Sequence, residues 1–279
     1  MCSDHAHQFA FSLPAGDLWA RYWYQRKNLE YDLRRAVQQR ELEVHYQPQV
    51  DLVSGMVRGV EALLRWRHPV LGLILPAVLL PLAEELGVLI DMGHWIVDEV
   101  CRQAEEWMEP GFDVPIAVNL SGQELIRSNL LAGLLATIGC HGIPPKAIEL
   151  EWTGPPGFVD RTETVRRLAC LREHGFRIAL DNVGSTEFEP STLRGLPLDT
   201  VKLDPSLIRT IDCDDRTRCL ARDVIELARQ SDWETVAVGV EREAQVNVLR
   251  ELGCGAGQGR YYTEPGPIHH LEYWMEGKV

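Results

Sequence analysis

Five positions in this chain of 279 residues carry side chains able to hold a cation and a phosphate, and each closes an apolar run. They are Glu61 in "VRGVEALLRW", Asn119 in "PIAVNLS", Glu151 in "AIELEWT", Asp181 in "RIALDN" and Lys202 in "DTVKLD". The first four are hard oxygen donors, the set that Mg2+, Mn2+ or Ca2+ prefers. Lys202 adds a point charge suited to a phosphate or to a water beside a metal. A polar strand end can simply cap a barrel against solvent, the plainer reading of any one of these residues alone; five in register favour a common site.

Such residues meet only if the elements beneath them place them on one rim. Runs rich in Val, Ile and Leu occur near residues 42–52, 57–66, 115–121, 147–153, 176–183, 199–204, 234–241 and 255–262. Amphipathic helical stretches separate most of them. Eight runs alternating with helices predict an α/β fold, a (β/α)8 TIM-like barrel, in which parallel strand ends converge on one face. Only "VSG" separates the first two runs, so they form a hairpin and one barrel strand runs antiparallel. Residues 1–29 read as an N-terminal tail and lead-in helix, and residues 30–279 as the barrel domain. The lead-in periodicity spans 18–40, a helix that in a longer protein could follow another domain.

The net charge of −13, with no extended Lys/Arg cluster, argues against a sequence-independent grip on nucleic acid. Any phosphate ligand must be held by a few placed cations or by a metal. Seven cysteines without a CxxC pair read as reduced thiols of a cytoplasmic protein. Cys213 and Cys219 among Asp212, Asp214 and Asp215 fit no zinc spacing and read as an exposed acidic loop. The uncharged stretch Pro69–Ala83 is too short to span a bilayer and holds three prolines, so no membrane insertion is expected and it reads as a core-facing loop and helix start. The N-terminus lacks a secretory-signal pattern, and His5 and His7 read as part of a tail. "GCGAGQG" from Gly253 precedes a strand-like "RYY" instead of opening a helix, which excludes a dinucleotide-binding loop.

Taken in order, "YQPQVDL", "EALLRWRHP", "VNLSGQEL", "LEWT", "IALDN", "VKLD", "GVE" and "GQGRYY" resemble the motif series of the EAL domain family over about residues 30 to 275. Active members of that family are cyclic-di-GMP phosphodiesterases. The resemblance implies a barrel with one antiparallel strand and two divalent metals that activate a water to open cyclic di-GMP to pGpG. It implies that Glu61, Asn119, Glu151 and Asp181 hold a first metal, Mg2+ or Mn2+ with Ca2+ a further candidate. Lys202 matches the lysine near the attacking water. Gln47, Leu63, Arg65, Asp181, Lys202, Glu241 and Gln258 match positions that contact the nucleotide or support its pocket.

The departures fall on the other half of that site. Active relatives carry a second aspartate where this chain has Asn182, and a catalytic glutamate where it has Val238. Valine neither ligates metal nor moves a proton, and loss of a general base costs roughly 10²–10⁴ in rate. The loop after Asp181 reads "DNVGSTEFEP", and the glutamate that braces it in the family is Gly154, followed by Pro155 and Pro156. A second metal and a homodimer contact, both tied to that loop, are thereby weakened. Arg260 stands where an aromatic is usual, either as a cation at the pocket mouth or as a solvent-facing side chain. The leading reading is a degenerate EAL domain that binds cyclic di-GMP as a receptor, with metal confined to the first site and a downstream protein partner. The alternatives are a phosphodiesterase with residual activity and a nucleotide-free interaction scaffold.

Overall fold

The computed structural model describes residues 29–36, 39–107, 114–154, 161–184 and 193–271. A first helix, α1, covers residues 29–36, while residues 18–28 and 37–38 of the lead-in stretch, His5, His7, Pro155, Pro156 and most of the loop after Asp181 lie outside the described residues. Nine strands follow: β1 Leu42–Asp51, β2 Val57–His68, β3 Gly72–Ile74, β4 Ile116–Leu120, β5 Ile148–Thr153, β6 Arg177–Val183, β7 Thr200–Leu203, β8 Glu234–Val238 and β9 Ala256–Gln258. Eight of them are the apolar runs named above. They pair in the order β1-β9-β8-β7-β6-β5-β4-β2 and close through β1 with β2, so the sheet is a barrel with β3 attached outside the ring. β1 is antiparallel to both its neighbours, and the other ring pairs are parallel.

The hairpin between β1 and β2 has a local cause. The Asp51 carboxylate accepts from the Val53 and Ser54 backbone N–H groups at 3.0 and 2.7 Å and from the Ser54 hydroxyl. Gly55 then takes φ 73°, a conformation glycine adopts without strain. The helices are α2 Pro76–Glu85, α3 Leu89–Trp107, α4 Gly122–Leu125, α5 Leu130–His141, α6 Arg161–Glu173, α7 Pro205–Ile208, α8 Asp215–Gln230 and α9 Glu243–Leu252. Pro76 sits in the first turn of α2, where its lack of an N–H costs nothing. Asp214 caps α8 through the Arg216 N–H, and Asp212 pairs with Arg242, so the acids around Cys213 act structurally. Gly253 ends α9 in the left-handed conformation at φ 78°, a helix stop and not a phosphate cradle.

Strand alternation sorts the side chains into two faces. Ala62, Leu64 and Trp66 of β2, Ile148, Leu150 and Trp152 of β5, and Val201 and Leu203 of β7 are buried in the apolar core. Each buried Val, Leu or Ile there contributes roughly 1.5–3 kcal/mol. Trp66 belongs to this core, and Trp95 and Trp107 pack against it. The opposite face supplies Glu61, Arg65, Glu149, Glu151, Thr200, Lys202 and Gln258, all buried, so the barrel interior is polar.

Two differences from the sequence reading have plain causes. Residues expected to be loop form β3, which pairs with Trp66–His68 because β2 runs on past the ring. For the same reason Glu61 lies within β2 and not at its end.

At the rim Gly259 is indispensable. It has φ 152°, and a Cβ there would stand 2.2 Å from the Val240 carbonyl oxygen and 2.4 Å from its nitrogen. Gly259→Ala is expected to destabilise the domain by about 1–3 kcal/mol, read as a lower urea midpoint at unchanged slope. An unshifted midpoint would contradict this account of the rim.

Candidate functional site

The register of the barrel builds a staircase. Gln47 lies opposite Glu61, Asn119 opposite Glu151, Thr153 opposite Asp181, and Val238 opposite Gln258. Between Leu180 and Val183 the β6–β7 register slips, and Asn182 adopts φ 59° within that bulge. Asparagine is among the few residues that take this conformation readily. After β4, Ser121 and Glu124 form a capping box, with Glu124 N–H donating to Ser121 Oγ at 3.2 Å and Ser121 N–H to Glu124 Oε2 at 2.9 Å. That box fixes the turn that follows Asn119.

At the centre stands Lys202, 1% exposed. Its Nζ donates to Glu61 Oε2 at 2.8 Å and to both oxygens of Glu151 at 2.6 Å. Gln258 Nε2 donates to Glu61 Oε2 at 2.6 Å and to Gln47 Oε1 at 2.9 Å, and Gln47 Nε2 donates in turn to the Thr263 carbonyl at 2.9 Å. Asn119 Nδ2 reaches Glu61 Oε1 at 3.4 Å. Glu61, Glu151, Lys202, Gln47, Gln258 and Asn119 are thus one network, four of whose members sequence reading placed as cation donors or lysine.

The charges are not balanced. Burial alone would strip Lys202 of its proton, but Glu151, Glu61 and Asp181 hold it as an ammonium with a strongly raised pKa. Burial likewise pushes up Glu61, yet the attraction of Lys202 and hydrogen bonds from Lys202, Gln258 and Asn119 leave it below the usual carboxylate range. Glu151, buried and facing the Glu61 and Asp181 charges, is pushed well up despite Lys202. Asp181 is raised as well, by burial first and with Lys202 opposing.

One ammonium therefore serves three carboxyl groups, and the raised Glu151 and Asp181 mark a cost of crowding them together that a hard divalent cation would relieve. The donors Glu61, Asn119, Glu151 and Asp181 fit such a cation in chemistry. Among the described residues no three His, Cys, Asp or Glu side chains converge on one point, since the Lys202 ammonium stands between Glu61 and Glu151.

The remaining residues take other positions. Arg65 is buried, and its guanidinium donates to the Leu64 carbonyl at 2.9 Å. Leu63 is half-buried on β2, and Asn119, although part of the network, is exposed toward the mouth. Glu241 lies beyond β8, exposed, and pairs with Arg260. Val238 is half-buried at the end of β8, on the interior face by alternation with Glu234 and Val236.

Sequence reading did not find a second polar layer at the far end of the barrel. There Arg177 donates to Glu149 at 3.1 Å and to Glu234 at 2.8 Å, and Thr200 donates to Glu149 at 2.8 Å. Its only signal was the charge at the start of three runs. A cavity of about 480 Å3 opens beside it, lined by Arg58, Arg172, Arg177, Arg229 and Trp233. Each of those arginines pairs with a carboxylate, Glu234, Asp199, Glu149 and Glu226 respectively, so they are engaged in structure at the end opposite the lysine network.

A closed barrel thus holds a buried acid–lysine network toward the carboxyl ends of its parallel strands, the end at which barrels of this kind carry their sites. The model of the EAL domain matches residues 30–265, and the chain belongs to that family. It is 37% identical over 250 residues, 90% of this chain and 30% of the relative, to an uncharacterized signaling protein of Caulobacter vibrioides. It is 36% identical over 244 residues, 87% of this chain and 36% of the relative, to the bifunctional diguanylate cyclase/cyclic di-GMP phosphodiesterase MucR of Pseudomonas aeruginosa. The chain spans about a third of the length of these curated relatives. The solved structure of the PaMucR phosphodiesterase in its c-di-GMP complex superposes with a TM-score of 0.83 at 36% identity, covering 88% of this chain and 99% of that one. Among the described residues no helix is long and apolar enough to cross a membrane.

Proposed function

We propose that this chain is a cytoplasmic receptor for cyclic di-GMP whose phosphodiesterase activity is lost or severely impaired, and that it passes the nucleotide signal to a protein partner. The observation that carries this reading is the division of the rim. The half that would grip a bis-anionic nucleotide is intact, with Lys202, Arg65, Gln47 and Gln258 buried around Glu61 and Glu151. The half that would drive hydrolysis carries an amide at Asn182 and a hydrocarbon at Val238.

Lys202 and Arg65 compensate phosphate charge, and in a low-dielectric pocket each does so more strongly than it would in water. Gln47 and Gln258 fix the Glu61 side chain so that it cannot fold away from its neighbours. Glu241 at the mouth offers a carboxylate to base N–H donors. If a divalent cation binds, Glu61, Asn119, Glu151 and Asp181 hold it, and it supplies Lewis-acid polarisation of phosphate oxygen and water. No side chain at 238 then accepts the proton of an attacking water.

That intact donor set favours a second reading, a metal-dependent phosphodiesterase with residual turnover to pGpG. One titration distinguishes the two. Calorimetry with cyclic di-GMP, first in EDTA and then in Mg2+, is expected to show binding at about micromolar affinity. Chromatography of the same samples is expected to show no pGpG. Steady pGpG formation in Mg2+ or Mn2+ establishes the residual enzyme instead, and absence of heat in both buffers leaves only the interaction scaffold.

A further inference from the structure

Glu241 and Arg260 leave the rim on adjacent loops, and their side chains meet as an ion pair. The backbone beneath them is rigid. β8 and β9 are hydrogen-bonded neighbours, the Gly239 and Val240 N–H groups donate to the Gln258 carbonyl at 2.9 and 3.0 Å, and the Tyr261 N–H donates to the Val240 carbonyl at 2.9 Å. Gly259 between them has no room for a side chain. The pair is therefore held by a tight frame and not by two mobile loops.

Its partners decide what Arg260 can do. The guanidinium is bonded to Glu241 and also lies in the field of Glu264, both of which hold its proton firmly. An arginine between two acids is poorly placed to be the main contact of a phosphate. It is well placed to restrain a carboxylate, because its fork is planar and pre-organised.

Glu241 can only accept hydrogen bonds. A carboxylate fixed at one oxygen recognises a base that presents N–H donors on one edge, which guanine does with N1–H and its 2-amino group, whereas adenine presents an acceptor at N1.

We propose that Arg260 is a positioning residue that holds the Glu241 carboxylate for the donor edge of a guanine base. This rests on the cyclic di-GMP reading of the site and adds to it a determinant of base recognition particular to this chain. Arg260 contacts the nucleotide only through Glu241.

Calorimetric titrations of five chains test it, the wild type, Arg260→Ala, Arg260→Lys, Glu241→Gln and Glu241→Gln/Arg260→Ala, each with cyclic di-GMP and with cyclic di-IMP, which keeps both phosphates but lacks the 2-amino groups. Arg260→Ala is expected to weaken cyclic di-GMP binding by roughly tenfold, with a smaller loss for cyclic di-IMP, the size of one charge-assisted hydrogen bond. Arg260→Lys should recover part of the loss. In the Glu241→Gln background Arg260→Ala should add nothing. Melting temperatures should stay within a degree or so, since an exposed pair contributes little to stability. Equal losses for both ligands would make Arg260 a phosphate contact and overturn the proposal, as would an unchanged affinity in Arg260→Ala or a full additional loss in the Glu241→Gln background. A wild-type chain that binds neither ligand would refute the underlying reading of the site, a result distinct from binding that ignores position 260.

Discussion

Replacing Lys202 by Met is expected to lower the unfolding free energy by about 3–5 kcal/mol in EDTA, the largest loss of any single change at the site. The ammonium is fully buried and bonded to Glu61 and to both oxygens of Glu151. Methionine fills nearly the same volume, so the cost is electrostatic and not that of a cavity. Removing the cation leaves two carboxyl groups facing each other in a medium that solvates neither, with Asp181 adding a third charge nearby. For a chain of this size about 2–4 °C of melting temperature accompanies each kcal/mol, so the variant should melt roughly 6–20 °C below the parent.

Two controls separate the electrostatic cause from simple mispacking. Glu151→Gln in the Lys202→Met background removes one of the opposed charges and should recover part of the loss. Mg2+ should recover more in Lys202→Met than it adds to the parent, because Glu61, Asn119, Glu151 and Asp181 then face a cation with no competing ammonium. A loss under about 1 kcal/mol, typical of an exposed pair, would show that Lys202 is not the counter-charge of this network.

The same network shows how far one-dimensional pattern carries. Apolar runs separated by helical stretches placed Glu151 and Lys202 on strands of one barrel, and the register then put their side chains within hydrogen-bond reach. The short turn before β2 gave the antiparallel strand, because three residues cannot cross a barrel. "SGQE" at 121–124 carries the Ser-x-x-Glu pattern of a capping box, a helix-start signal that the sequence reading did not use. Alternation says which face a side chain takes, but not which residues from distant strands share that face at one height.

Lys202 is locked between two glutamates from other strands, a pairing that alternation alone does not reveal. Arg177, Glu149 and Glu234 looked like separate strand-start charges and form a second buried layer. β3 escaped notice for a different reason. It is three residues long, and its pairing depends on β2 continuing past the ring, a tertiary fact that no local window contains. The pair of Glu241 and Arg260 joins two loops 19 residues apart, and only the hydrogen bonding of β8 to β9 brings them together.

Val238→Glu combined with Asn182→Asp is expected to raise pGpG formation above that of the parent, yet to stay roughly 10–100-fold below a variant in which residues 184–190 are also replaced by the family's loop sequence. The first half of that result follows from chemistry at two positions. Asn182 and Val238 bring no charge and no base, and the double change supplies both. The second half follows from what the added groups meet. Val238 is half-buried, on the interior face opposite Gln258, so a glutamate there joins Glu61, Glu151 and Asp181 around the one ammonium of Lys202. Glu151 is already pushed up by its neighbours, and a further carboxylate increases that repulsion.

The double variant should accordingly be less stable than the parent in EDTA and gain more from Mg2+ than the parent does. Those two shifts, read by thermal melting, precede any turnover and check the electrostatic step by itself. Turnover needs a further condition, a second cation held long enough to act, and the chain's "DNVGSTEFEP" and its Gly154 lack the residues that accompany that function in the family. If the double change alone gives the rate of the loop-restored variant, the loop has no part in the loss, and Asn182 with Val238 accounts for all of it. If neither variant makes pGpG although both bind Mg2+ more tightly than the parent, the defect lies deeper, in how the Lys202 network holds Glu61 and Glu151 away from a metal.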